Sequence, residues 1–207
     1  MVEISNIKVY DLRESVIACR NPMRVLPPEY TDAEFEKSLP RAIALAKTPS
    51  NSGHCNFLKG IRVSFDIKYP NYFTPELQRY GFIDIVSSSS KMHRLAVMTD
   101  AKHFNKYVDV MTIDIVRGYA ARYNAEPTYD NFIRLVSNCP LGIELFMRIS
   151  TNYMQLRNIY HQRKGHRLKD WHNFIAFIEE LPYAKEFIII PDEDFTPSKE
   201  KYGFIDE

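Results

Sequence analysis

Two stretches of this 207-residue chain concentrate groups able to hold an anion. The first runs Arg157-Asn158-Ile159-Tyr160-His161-Gln162-Arg163-Lys164-Gly165-His166-Arg167, a dense run of cations in a chain whose 27 Lys and Arg nearly cancel 26 Asp and Glu. Two readings stay open. As a helix end, the cations complement the negative pole of the dipole and Gly165 closes the helix. As a site, the same groups bind a phosphate or a pyrimidine edge, because Arg presents two parallel N–H donors. The second stretch is Gln78-Arg79-Tyr80, followed by Ser87-Ser88-Ser89-Ser90-Lys91-Met92-His93-Arg94. Hydroxyls running into cations suit a phosphate, each charge-assisted bond contributing about 1.5–3 kcal/mol. A flexible Ser-rich loop is the alternative.

Other chemistries find little support. His161, His166 and His172, with Asp170 nearby, are spaced His-x4-His-x5-His, which does not align them on one helical face, so surface histidines fit better than a metal site. Cys19, Cys55 and Cys139 are odd in number and far apart, the pattern of buried thiols. His54-Cys55 is adjacent, which points the two side chains apart on a strand. There is no Gly-x-Ser-x-Gly elbow and no glycine-rich phosphate loop, so a nucleotide must be held by side chains or helix ends. A net charge of +1 argues against extended nucleic acid or an anionic membrane as partner. The longest apolar runs, such as Phe187-Ile188-Ile189-Ile190, are too short to span a bilayer, and Met1 to Asn6 lacks the pattern of a signal peptide. The expectation is a cytoplasmic protein.

The elements that would position these residues follow from periodicity. The composition, 45% hydrophobic and 26% charged, is globular. Ile4, Ile7, Val9 and Leu12 predict an opening strand, and Glu14 to Arg20 a helix or turn. Thr31 caps a helix over 32–47 that carries Phe35, Leu39, Ile43 and Ala46 on one face, with Pro40 inside it. Ile61 to Tyr69 alternates as a strand with one wet face, and Thr74-Pro75-Glu76 opens a helix, with Ser87 to Ser90 either ending it or beginning a loop. Further helices are predicted over 101–123, 128–137, from Pro140 through Tyr160, and from Lys169 to Glu180. The reading is α+β: a single domain over 1–190 with a mixed or antiparallel sheet packed by helices, and an acidic, aromatic tail over 191–207.

Taken together, the two clusters resemble the flavin-dependent thymidylate synthases, whose signature is Arg-His-Arg, seven residues, Ser, and an Arg two beyond. Here Arg79-Tyr80-Gly81 leads after seven residues to Ser89, with Lys91 two beyond. Downstream, Pro140-Leu141 leads to Asn152, Asn158 and Arg163 at the family's spacing. Ser52-Gly53-His54 with Phe57 is similar to its Glu-His-x-x-Phe segment, and Ile17-Ala18-Cys19-Arg20 to its early Ala-Ala-Arg helix. The resemblance spans most of residues 15 to 187.

The resemblance implies the ThyX fold and one-carbon transfer to C5 of dUMP using reduced FAD, with NADPH and methylenetetrahydrofolate as co-substrates. Flavin chemistry of this kind needs no protein nucleophile. Arg163 falls on the Arg that contacts uracil and favours its ionised form. Glu76, Arg79, Ser87, Ser89, Ser90 and Lys91 fall on the dUMP-binding stretch. Arg79, Asn152 and Asn158 fall on FAD contacts, and His54 on a His near flavin and folate. A homo-oligomer, tetrameric in the family, is implied as well. Tyr80 and Gly81 stand where the signature has His and Arg, and Met154 where the family has an Arg facing FAD. Those departures leave two functions open: an enzyme acting on a pyrimidine nucleotide, or a non-catalytic descendant that binds a nucleotide or a protein partner.

Overall fold

The computed structural model describes residues 1–190, the side chain of Asn51 apart, so the tail over 191–207 lies outside the described residues. Strand β1 (Glu3–Tyr10) opens the chain, and Asp11, in the left-handed region at φ 56°, turns it into helix α1 (Leu12–Ala18). Helix α2 (Asp32–Ala46) begins where its cap predicts: Thr31 Oγ1 accepts the Glu34 N–H at 3.2 Å, with Asp32 and Glu34 in the first turn. Strand β2 (Arg62–Pro70) buries Val63, Phe65, Ile67 and Tyr69 and turns the residues between them outward. A single turn, α3 (Thr74–Leu77), precedes the exposed strand β3 (Asp84–Ser88) and a second single turn, α4 (Lys91–Arg94). Then come α5 (Val110–Ala125), α6 (Tyr129–Ser137), β4 (Glu144–Asn152), α7 (Tyr153–Arg163), α8 (Asp170–Glu179) and α9 (Ala184–Phe187).

The strands form one antiparallel sheet in the order β1-β2-β4-β3, and the fold is α+β. Register on the wet face is visible in ion pairs: Asp66 meets Arg148 at 3.1 Å and Lys68 meets Glu144 at 2.6 Å, the opposed numbering of antiparallel neighbours.

Four expectations are corrected. The helix from Pro140 is instead β4 followed by α7. Leu145, Met147, Ile149 and Thr151 are buried in alternation with Glu144, Phe146, Arg148 and Ser150, a period of two that the helical reading overlooked. The helix over 101–123 starts only at Val110, because Asn105 donates its N–H to Gly142 O at 2.9 Å and its side chain accepts from Tyr107 N–H at 3.0 Å. The helix opened at Thr74 ends at Leu77 and does not reach the serines, and the serine run follows a strand: Ser87 and Ser88 end β3, and Ser89 extends the pairing to Phe146. His54 and Cys55 lie in a turn rather than on a strand, and of the three thiols only Cys55 is fully buried.

The chain divides into two compact units. One comprises Met1–Ser5 and Asp66–Ile149 and is centred on Leu95, Phe104, Ile113, Val116, Leu135 and Ile143. The other comprises Asn6–Phe65 and the chain from Ser150. Its core is aromatic: Phe65 lies 4.7 Å from Phe177 and 5.8 Å from Phe174, and Trp171 lies 5.4 Å from Phe174, ring centre to ring centre.

Candidate functional site

Within the second unit, α1, the turn Asn21–Met23, α2 and the segment from Gly53 to Gly60 enclose a cleft of about 980 Å3. Close packing of α1 on Gly60 makes its floor, since a methyl group on Gly60 would overlap the Ser15 hydroxyl. The apolar lining is Ala18, Pro22, Met23, Pro40, Leu45 and Phe57. Lys37 and Arg41, one helical turn apart on α2, and Arg20 give the lining three cations, His54 adds an imidazole, and no carboxylate belongs to it. That mixture suits an anionic ligand with a flat apolar body. Sequence reading missed Lys37 and Arg41, although their spacing of four residues places them on one helical face.

Arg20 has a partner of its own. Glu34 receives Arg20 Nη1 at 3.3 Å and is also paired with Arg24, so the segment leading into α2 is tied back at two points. The Arg24 hydrogen bond holds the Glu34 carboxyl below its usual range. Cys19 also faces the cleft, and burial pushes its thiol up to about 11 against the opposing pull of Arg41, Arg20 and Arg24. At neutral pH it is a thiol, not a nucleophile.

His54 is the one predicted site residue that lines the cleft. Asn152 instead caps α7, its Oδ1 accepting the Gln155 N–H at 3.0 Å. Asn158 is half-buried on the same helix. Arg163 rests over the Trp171 ring, 4.8 Å from the ring centre. Arg157, the first residue of the cationic run, leaves it altogether: only 1% exposed, it donates from Nη1 to Ala46 O at 2.8 Å and from Nη2 to Thr48 O at 3.0 Å. Burial draws its pKa down, with the Cys55 sulfur acting in the opposite sense. His166 and His172 hold local contacts, Nδ1 of His166 accepting from Leu168 N–H at 3.1 Å and Nε2 of His172 lying 2.8 Å from His166 O. No cluster able to hold a metal ion occurs among the described residues.

In the first unit the predicted substrate residues are exposed or half-buried, Glu76 among the half-buried. Arg79 is exposed and lies 3.8 Å from Glu76. Ser87 is exposed on β3; Ser89 Oγ accepts from Phe146 N–H at 3.0 Å; Ser90 and Lys91 are half-buried where α4 begins.

No protein-family model matches this chain, and no curated protein does. Solved structures do. A flavin-dependent thymidylate synthase ThyX from Helicobacter pylori, complexed with FAD and dUMP, superposes with a TM-score of 0.70 at 17% identity, over 94% of this chain and 100% of that one. A second structure of the Helicobacter pylori enzyme with FAD and dUMP gives 0.70 at 16% identity, over 95% and 100%. The chain has a ThyX-like fold.

Proposed function

We propose that this chain binds a pyrimidine nucleotide and acts as a thymidylate synthase-like enzyme, transferring a one-carbon unit to C5 of dUMP with reduced FAD. NADPH and methylenetetrahydrofolate are the co-substrates of this reading, and its setting is a cytoplasmic homo-oligomer, tetrameric by analogy. The observation that carries it is the ThyX-like fold along the full length of the FAD- and dUMP-bound structures. The order of Arg79, Ser89, Lys91, Asn152, Asn158 and Arg163 along the chain agrees with it.

Each residue has a part its chemistry suits. Ser87, Ser89, Ser90 and Lys91 supply hydroxyl and ammonium donors to the nucleotide phosphate, with Glu76 and Arg79 beside them. Arg163 contacts the uracil and stabilises negative charge developing there; a guanidinium on an aromatic face uses its plane in that contact and not its N–H edge. This reading assigns the flavin contacts to Asn152, Asn158, Arg79 and His54.

The flavin meets resistance from this chain's own packing. Tyr80 is 8% exposed and Met154 7%, so the positions of the signature His and of the FAD-facing Arg are filled by apolar core. Neither offers a cation to a pyrophosphate, and Asn152 Oδ1 already serves as a helix cap. These residues do not fit a flavin phosphate chain. That observation favours a second reading, a ThyX-fold protein that binds a nucleotide or a protein partner without flavin chemistry.

Titration of the purified protein with FAD, followed by visible absorbance, separates the two. A perturbed flavin spectrum that responds to dUMP supports the enzyme. Absence of binding at high micromolar FAD, with dUMP still bound, transfers the conclusion to the second reading.

A further inference from the structure

Arg157 joins the end of α2 to the turn that carries His54. Its two terminal nitrogens hold Ala46 O and Thr48 O, the last carbonyls before the chain leaves α2 for residues 49–55. From Thr48 the contacts continue inward. Thr48 Oγ1 donates to Leu45 O at 2.7 Å; Ser52 Oγ, with one proton to give, donates to Pro49 O at 2.7 Å and lies 3.2 Å from Thr48 Oγ1. His54 N–H then donates to Ser52 Oγ at 3.4 Å, across Gly53 in the left-handed region at φ 76°. Cys55 Sγ, which also interacts with Arg157, closes the turn on Pro49 O at 3.7 Å. A buried guanidinium is costly to maintain unless its donors are used, and here both arms go to backbone carbonyls of a single connection.

We infer that Arg157 is a positioning residue, which fixes the 48–55 turn through Ala46 and Thr48 and thereby holds the His54 side chain at the rim of the cleft. The inference takes His54 as a site residue from the proposed function and adds what sets its place. Arg157 belongs to the same cationic run as Arg163, yet acts from the core and not on the ligand.

The test uses the ligand-free protein labelled with 13C-histidine. Arg157→Lys keeps the charge but replaces the two-armed guanidinium by a single ammonium nitrogen; Arg157→Gln removes the buried charge; Ser52→Ala cuts the last link and leaves Arg157 untouched. In each variant that folds, the His54 Cε1–Hε1 resonance is expected to shift and broaden while those of His103, His166 and His172 stay in place. FAD affinity, where the wild type binds FAD, is expected to fall about tenfold, or ~1.4 kcal/mol. An unmoved His54 resonance in Ser52→Ala, or in either folded Arg157 variant, overturns the inference. A wild type that fails to bind FAD while His54 moves as expected leaves the positioning role standing and removes the flavin reading, so the two fail separately.

Discussion

Two cations from one run of sequence ended in different places. Arg157 serves carbonyls in the core, whereas Arg163 is held against an indole near the end of α7. If Arg163 meets the pyrimidine as we propose, Arg163→Ala lowers dUMP affinity by at least about 100-fold, two charge-assisted bonds at roughly 1.5 kcal/mol each. Loss of the contact with Trp171 costs on the order of 1 kcal/mol of stability. Calorimetric titration and thermal unfolding of the same sample check both numbers, and retained dUMP affinity removes Arg163 from the site. At the start of α2, Glu34, paired with Arg20 and Arg24, sets an acid limit. Its folded-state pKa is depressed, so its contribution to stability is present above the unfolded-state value, about 4.3, and is lost as pH falls through the lower folded-state value. Glu34→Gln should flatten the unfolding midpoint against pH in that acid window and leave it unchanged in slope near neutrality.

At the scale of elements, the cleft depends on how closely α1 approaches the 53–60 segment. Gly60→Ala places a methyl group against Ser15 and should cost about 1–3 kcal/mol, the range for overpacking, with Ser15→Ala restoring most of it. Chemical denaturation of the single and double variants measures that coupling. The elements themselves were unevenly legible. α2 and α6 could be read from Thr31 and Thr128, because a capping hydroxyl followed by an amphipathic stretch is a local signal, and each threonine accepts the N–H three residues on. β4 could not be read as easily. Two of its inward residues, Leu145 and Ile149, also fit a helical period when joined to Leu156 and Ile159, and the boundary at Asn152 is set by a cap whose meaning depends on the strand before it. β3 was missed because it buries no residue, so no hydrophobic pattern marks it. For the site, His54 was placed by motif alone, while Lys37 and Arg41 needed the tertiary approach of α1 and α2 to become part of a cleft.

For the whole molecule, the exposed apolar side chains are informative. Phe82, Val86, Met92 and Phe146 all lie open to solvent in the first unit, a large apolar area for a chain that acts alone. The homo-oligomer of the proposed function predicts a light-scattering mass several times that of one 207-residue chain, and Phe146→Glu should shift the distribution toward a single chain. A wild-type mass equal to one chain at micromolar concentration would count against the oligomer.

The two departures at Tyr80 and Gly81 are adjacent in sequence but unlike in their surroundings. Tyr80 is walled into the core, whereas a β-carbon added at Gly81 would meet nothing within 4 Å. The two positions therefore answer differently to substitution: a change of shape at position 80 must be absorbed by packed neighbours, and a β-carbon at position 81 enters open space. Tyr80 thus belongs to what holds the first unit together, and Gly81 to what that unit presents to solvent.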